Sequence, residues 1–268
     1  MKYLVYLLLS ISIISCGPSN KELASRLIGR AQQLKDEKKF NNSKNILDSL
    51  KSAFPKEREM VVKANILLKD IAVLEQQRDV FYTDSLLVIK QKELKPLLVN
   101  FVTVVDEGGD TLLIHTRQRP ENSYHRSYVR ANLNSRGDFY LSTQYVGENN
   151  INHTNMRAVC GSLTAQSDII KEDGFANRRF EDEDTKWEVI CFKNGADNGI
   201  SDLIASHSNQ EVRVEFLGGS AYTIYLESYD KEAIRDGYEI SFVLKEIAKL
   251  KQSCDNSKRT LLKLQRNN

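Results

Sequence analysis

The chain has 268 residues, of which 41% are apolar and 28% charged, and its formal net charge is +2. This composition is sufficient for one large or two small folded domains, and it excludes a fully disordered chain, a collagen and a protein with several membrane spans. The balance of 38 basic against 36 acidic residues argues against nucleic acid as a partner, because no basic excess is available to neutralise phosphates. Four cysteines are too few for a disulfide-built scaffold of this length.

The first fifteen residues have the pattern of a secretory signal peptide. Lys2 provides a positive charge, residues 3–15 are uncharged and mostly apolar, and Cys16 follows directly. A helix over this apolar run would span about 20 Å, which is shorter than the hydrocarbon core of about 30 Å. The sequence therefore predicts a cleaved signal over residues 1–15 and no stable membrane-spanning helix there.

The tetrapeptide Ile13-Ile14-Ser15-Cys16 resembles the lipobox of bacterial lipoproteins, with a small residue before the cysteine. The resemblance implies that the Cys16 thiol receives a diacylglycerol, that a peptidase cleaves before it, and that the new amine is acylated. Two or three acyl chains would anchor the protein stably, since one chain alone binds a membrane only marginally. Gly17 in place of an aspartate implies sorting to the outer membrane. The alternative is an ordinary signal peptide with a chance cysteine.

A lipidated tether over residues 16–20 precedes a helical region that is predicted over residues 21–97. Two short amphipathic helices end before Pro55, and the pair resembles one tetratricopeptide repeat over residues 24–57. The positions that match the large and small consensus residues are Leu27, Ala31, Leu34, Ser43, Leu47 and Leu50. One repeat cannot bury its own apolar face, so the resemblance implies that the next helix covers it. A generic helical hairpin explains the same pattern nearly as well.

Two long amphipathic helices are predicted on either side of the central part of the chain. The first covers residues 56–95, where apolar residues step by three and four until Pro96. The second covers residues 230–268, with Asp230 as its capping residue. Their spacing is that of coiled-coil partners, so we expect the two helices to pair antiparallel. The alternative is that each helix packs separately on the strands between them.

Residues 98–229 change to the two-residue period of β-strands. Most of these alternating runs have one polar face, which is typical of an antiparallel sheet or sandwich with one solvated side. The pair Gly218-Gly219 predicts a primed two-residue turn in the last hairpin. Together with the flanking helices, this pattern predicts an α+β fold and disfavours a doubly wound α/β fold.

No motif in the sequence nominates catalytic or metal-binding residues. The four histidines have no partner at metal-ligand spacing, and no local nucleophile signature occurs, which leaves open only a triad assembled from distant residues. The sequence thus predicts no catalytic residue, no metal and no cofactor. Once Cys16 is acylated, Cys160, Cys191 and Cys254 could form one disulfide at most, or behave as three small hydrophobic residues.

One polar strand face is a candidate interaction surface. Arg126, Tyr128 and Arg130 lie in a row at alternate positions, and Tyr140 lies across the following turn. Arginine and tyrosine are enriched at protein interfaces, so a partner would be expected to bind here. The alternative is an ordinary solvated sheet face.

The lipobox, the helical hairpin, the β section and the terminal helix together resemble uncharacterised envelope lipoproteins of Bacteroidota-type bacteria. The resemblance implies a location and an architecture but no reaction. The sequence therefore favours a non-catalytic lipoprotein, anchored in the cell envelope through Cys16, that binds a protein partner. The alternatives are binding of a glycan or small ligand by the β section and, third, an envelope hydrolase.

Overall fold

The computed structural model describes residues 18–105 and 109–266, so Cys16 and the predicted signal peptide lie outside the described residues. The helices of the described chain are α1 Asn20–Asp36, α2 Phe40–Ala53, α3 Arg58–Leu97, α4 Pro120–Ser123, α5 Ile200–Ser206 and α6 Ser228–Arg266. Its strands are β1 Phe101–Val105, β2 Thr111–His115, β3 Tyr128–Asn134, β4 Phe139–Gly147, β5 His153–Cys160, β6 Leu163–Gln166, β7 Asn177–Asp182, β8 Thr185–Phe192, β9 Arg213–Gly218 and β10 Tyr222–Tyr225.

The strands form two antiparallel sheets that share one core. The six-stranded sheet has the order β1-β2-β3-β4-β8-β7, and the four-stranded sheet has the order β10-β9-β5-β6. Leu141 and Ile190 of the first sheet belong to the same buried cluster as Met156 and Phe216 of the second, and Ile234 of α6 joins them. These strands and the helices that flank them confirm the predicted α+β fold with antiparallel sheets.

The described chain divides into two compact units, one formed by residues 18–82 with 255–266 and the other by residues 83–105 with 109–254. In the first unit, α1, α2 and the first half of α3 enclose an apolar core. Its fully buried members include Ala24, Ala31, Leu47, Leu50, Ala64 and Ile71. The Ser43 hydroxyl donates a buried hydrogen bond of 2.7 Å to the Ala31 carbonyl oxygen, which ties α2 to α1. Helix α3 thus covers the apolar face that the two-helix hairpin alone leaves open.

The predicted antiparallel pairing of the two long helices is confirmed in the second unit. The Lys90 ammonium group of α3 lies 2.8 Å from the Glu246 carboxylate of α6. Earlier in α3 and later in α6, the Cys254 thiol donates a hydrogen bond of 3.1 Å to the Asp84 carboxylate. Because position 84 faces 254 while position 90 faces 246, the two helices run in opposite directions. Near the sheet, Ile240 of α6 packs in an apolar cluster with residues from the end of α3.

The predicted two-residue turn at Gly218-Gly219 is wrong. Strand β9 pairs with β10 with Phe216 opposite Tyr222, so the connection is a five-residue loop. Gly218 is required for a different reason, which is close backbone approach. A Cβ atom at Gly218 would lie 2.1 Å from the carbonyl oxygen of Asn152, so only glycine fits beside the chain that enters β5.

The prediction that Asp230 caps the last helix is also wrong. Helix α6 begins at Ser228, and Asp230 lies in its first turn with only 1% of its surface exposed. Its carboxylate accepts hydrogen bonds of 2.6 and 2.8 Å from the Arg126 guanidinium and one of 2.8 Å from the Gln118 amide. Gln118 in turn binds the backbone of β3 at the Val129 carbonyl and the Ala131 amide, where β2 no longer pairs with β3. Asp230 therefore joins α6 to the β3 edge.

Candidate functional site

The outward face of the six-stranded sheet carries a groove that crosses strands β3, β4, β8 and β7. Directly opposed residues of paired strands share one sheet face. The pairing therefore aligns Arg130, Ser142 and Cys191 across three strands. The next row consists of Tyr128, Gln144, Val189 and Arg178. We call this surface, together with Asn132, Tyr140, Phe175, Phe180, Trp187 and Lys193, the basic groove.

Two adjoining cavities of about 260 and 190 Å³ make up the basic groove. They share the residues Tyr128, Arg130, Gln144, Arg178 and Val189. A further cavity of about 520 Å³ adjoins them at Arg130 and Lys193. On the rim of that larger cavity the Arg136 guanidinium lies 3.0 Å from Asp110 and 3.4 Å from Asp138, so the two acidic groups are already matched there.

Three cationic side chains in the groove have no anionic partner. Within the described residues, no carboxylate lies within 4.0 Å of Arg130, Arg178 or Lys193, and none of the three side chains donates a hydrogen bond to the protein. Asp182 lies at the far end of the groove, where it accepts a hydrogen bond of 3.1 Å from the Tyr124 hydroxyl. The Lys193 ammonium group is 5.0 Å from the centre of the Tyr140 ring. The centre of the groove therefore carries uncompensated positive charge.

Cys191 marks the point where the three cations converge. Burial raises the pKa of its thiol and the Asp173 carboxylate adds slightly to the rise, while the nearby charges of Lys193, Arg178 and Arg130 oppose that shift without cancelling it. The thiol therefore stays protonated at neutral pH, which does not suit a nucleophile. Cys160, Cys191 and Cys254 are all free thiols in the structure, so the disulfide that the sequence left open does not form there.

Aromatic rings line the groove beside the cations. Phe175 is 78% exposed, Tyr124 58% and Phe180 47%. The Trp187 ring is only 4% exposed and lies against Tyr124 and Phe180. It is stacked on the Phe180 ring with 5.7 Å between the ring centroids. The Trp187 indole nitrogen has no hydrogen-bond partner in the described part of the chain. The groove thus combines exposed apolar rings with unpaired positive charge.

Two of the four residues of the predicted interaction surface are accessible in the groove. Arg130 and Tyr140 are partly exposed there, as expected for a binding surface. Tyr128 also lines the groove but is only 2% exposed, because the Arg126 guanidinium covers its ring at 4.3 Å. Arg126 is itself occupied by Asp230. Arg178 was not predicted as part of this surface, because the sequence pattern indicates no strand over residues 177–182.

A second polar cluster lies between the two sheets and has the order of a hydroxyl–imidazole–carboxylate triad. The Thr143 hydroxyl is 2.9 Å from His153 Nε2, and His153 Nδ1 is 2.6 Å from Glu188 Oε2. An ionised carboxylate can only accept, so His153 Nδ1 donates the hydrogen bond to Glu188. All three side chains are fully buried, with 0% exposure. A substrate cannot reach them, and the cluster is structural.

Glu188 is the centre of this buried cluster. Besides His153, its carboxylate accepts hydrogen bonds from the backbone amides of Ile151 (2.8 Å), Asn152 (2.8 Å) and His153 (2.9 Å). Burial alone would raise the pKa of Glu188, but the hydrogen bonds from His153 and from the amides outweigh burial and lower it. Since Glu188 belongs to β8 and His153 to β5, the charged carboxylate links the two sheets.

Across residues 18–105 and 109–266, no group of three His, Cys, Asp or Glu side chains is arranged to hold a metal ion. None of the helices in these ranges combines the length and apolar character that a membrane crossing requires. Comparison with protein-family models, with curated proteins and with solved structures found no match for the chain.

Proposed function

We propose that this protein is a non-catalytic binding protein, anchored in the bacterial cell envelope through Cys16, and that its basic groove binds an anionic partner. The observation that supports the groove is the convergence of Arg130, Arg178 and Lys193 around Cys191 with no carboxylate within 4.0 Å among the described residues. Like charges held close together repel one another, and folded proteins commonly match such groups with acidic neighbours. An anionic ligand would supply the missing counter-charge through charge-assisted hydrogen bonds.

A hydrolase fits the structure less well than a binding protein. The hydroxyl–imidazole–carboxylate cluster of Thr143, His153 and Glu188 is closed to solvent, so it lacks the accessible nucleophile that acyl transfer needs. The groove has a raised-pKa thiol at its centre, and no histidine is among the described residues that line it. Binding therefore accounts for the exposed charges, while catalysis leaves them without a role.

Binding in the groove can be followed through the fluorescence of Trp187, because it is the only tryptophan of the chain and lines the groove. We expect polyanions to change the Trp187 emission of the full chain at low ionic strength, with an effect that weakens as salt is added. The double variant Arg130→Ala/Arg178→Ala should bind at least about tenfold more weakly, since each lost charge-assisted contact is worth 1–3 kcal/mol in this kind of site.

A matched control removes two cations elsewhere on the surface. Arg117 and Arg259 are exposed and lie outside the groove, so Arg117→Ala/Arg259→Ala should retain affinity within about twofold. Equal weakening by both double variants would mean that net charge alone attracts the polyanion. In that case the proposed groove would be wrong.

The proposed anchor predicts a simple labelling result. Radiolabelled palmitate should enter the wild-type protein in bacterial cells and should be absent from Cys16→Ala, because acylation requires that thiol. Cys191→Ala provides the matched control and should label as the wild type does. Equal labelling of Cys16→Ala and the wild type would contradict the anchor.

A further inference from the structure

We infer that the ligand of the basic groove is an acidic glycan, a carbohydrate chain that carries carboxylate groups. This inference rests on the proposed function and specifies the class of ligand. Four features of the groove support it. They are the paired backbone groups of its floor strands, its hydrogen-bond donors, the exposed aromatic rings beside them, and its width from β3 to β7.

The floor of the groove presents side chains to a ligand and almost no unpaired backbone groups. Strands β4 and β8 are central in the six-stranded sheet, and each is paired on both sides. A peptide laid on this face would lose water from its amide groups without gaining backbone partners, which costs free energy. Peptides instead pair with free sheet edges. The face therefore suits a ligand that side chains recognise group by group.

The side chains of the floor match hydroxyl and carboxylate groups. Arg130 and Arg178 present planar guanidinium groups, which bind carboxylates through two parallel hydrogen bonds. Beside Arg130, the Asn132 amide donates a hydrogen bond of 3.0 Å to the Ser142 hydroxyl, so both polar groups are held in place on the floor. The Gln144 amide is also fixed, by hydrogen bonds to two backbone carbonyls. Oriented polar groups of this kind can pair with sugar hydroxyls.

The exposed rings provide the apolar part of sugar recognition. A pyranose ring has C–H faces that pack on flat aromatic surfaces, while its edges carry the hydroxyl groups. Phe175 and Phe180 present large exposed surfaces at the β7 side of the groove. The Lys193 ammonium group lies 5.9 Å from the centre of the Phe175 ring, so a cation and a ring surface meet at one place. A carboxylated sugar ring would contact both at once.

The groove is wider than a single sugar ring. Its two adjoining cavities, of about 260 and 190 Å³, extend from Arg130 on β3 to Arg178 on β7, three strand steps apart in the order β3-β4-β8-β7. At about 4.8 Å for each step, the backbones on the two sides of the groove are about 14 Å apart. A chain of sugar units fills this width while its carboxylates meet the cations near Cys191, whereas a single sugar leaves part of the groove empty. The ligand is therefore an oligosaccharide or polysaccharide.

The test compares three polymers on the full chain purified in detergent. The probes are polygalacturonate as a carboxylated glycan, dextran as a neutral glycan, and poly-L-glutamate as an acidic peptide, with Trp187 emission and calorimetry as the readouts. We expect polygalacturonate to bind at least about tenfold more tightly than poly-L-glutamate at equal carboxylate concentration, and dextran to bind more weakly than both. Tighter binding of poly-L-glutamate would contradict the proposal that the ligand is a glycan, while the proposal that the groove binds anions would stand. Absence of binding to either polyanion would overturn both.

A ring variant separates sugar stacking from charge. Phe175→Ala should weaken the binding of polygalacturonate by about fivefold or more, because the sugar packs on this ring. The affinity for poly-L-glutamate should stay within about twofold, because the peptide does not pack there. Phe242→Ala is the matched control, since Phe242 is a comparably exposed phenylalanine on α6 outside the groove. Both variants should keep the wild-type circular dichroism. Equal loss of both polymers in Phe175→Ala would overturn the stacking role and with it the glycan.

Discussion

Replacing Glu188 by alanine should lower the free energy of unfolding by about 3–5 kcal/mol, because several hydrogen-bond donors lose their acceptor and each buried donor left unsatisfied costs about 1–3 kcal/mol. The substitution leaves three backbone amides and the His153 imidazole without their acceptor inside the core. Water has little access to the donors of Ile151 and His153, because both residues are buried, whereas the amide of the exposed Asn152 can be hydrated again. Urea unfolding followed by Trp187 fluorescence and circular dichroism measures the loss.

Glu188→Gln should cost less than Glu188→Ala. The glutamine oxygen can keep the hydrogen bonds from Ile151 and Asn152, while its amide group faces the donors of His153 and loses those bonds. Glu211 is exposed and far along the chain from this cluster, so Glu211→Ala should stay within about 0.5 kcal/mol of the wild type. A loss below about 1 kcal/mol for Glu188→Ala would contradict a structural role for the carboxylate.

The same carboxylate should make stability depend on acid. In the unfolded chain Glu188 takes up a proton near its ordinary pKa of 4.5, whereas its lowered pKa keeps it ionised to lower pH in the folded protein. The unfolded state therefore binds more protons in this window, and stability rises with pH. The contribution of Glu188 is complete above about pH 4.5 and is lost as the pH falls through the folded-state pKa. Unfolding at pH 7 and pH 3 should show a smaller acid-induced loss for Glu188→Gln than for the wild type; parallel losses would refute this contribution.

Replacing Asp230 by alanine should lower the free energy of unfolding by a similar 3–5 kcal/mol. Asp230 accepts both arms of the half-buried Arg126 guanidinium and the amide of Gln118, so its loss leaves three donors unpaired at the start of α6. Arg126 lies between the rings of Tyr128 and Tyr229, at 4.3 and 5.1 Å, which limits how far it can turn toward water. The β3 edge held by Gln118 would loosen with it.

A double-mutant cycle isolates the Arg126–Asp230 pair. Arg126→Ala/Asp230→Ala should be more stable than the sum of the two single losses predicts, because the double variant leaves neither charge buried alone. Glu232→Ala, at an exposed position in the same turn of α6, should change stability by less than about 0.5 kcal/mol. Additive single losses would show that the two residues act independently.

Hydrophobic periodicity was sufficient to predict the long helices, most of the strands and the fold class. Three- and four-residue steps predicted both long helices, and the two-residue period predicted the antiparallel strands between them. The same local patterns failed where a distant segment sets the local structure. Asp230 resembles a helix cap in sequence, but its partner Arg126 is 104 positions away. Gly218 resembles a turn residue, but the backbone of Asn152 is what excludes a side chain there.

The candidate site was predictable only in part for the same reason. Arg130 and Tyr140 lie on adjacent strands joined by a short turn, so alternation placed them on one face. Arg178 joins them because β8 inserts next to β4 and brings β7 to its other side. No local pattern encodes that neighbour, and the strand over residues 177–182 has a charged sequence that hides its period.

The sequence by itself determined the α+β class, the two long amphipathic helices and the lipobox-like segment ending at Cys16, because each depends on residues close together in the chain. The tertiary structure alone decided which polar residues face solvent and which are buried. Strand pairing places Arg130, Arg178 and Lys193 around Cys191 on the open face, and packing of the two sheets closes Thr143, His153 and Glu188 inside. Charge and burial at these positions depend on contacts between segments far apart in the chain, which periodicity does not encode.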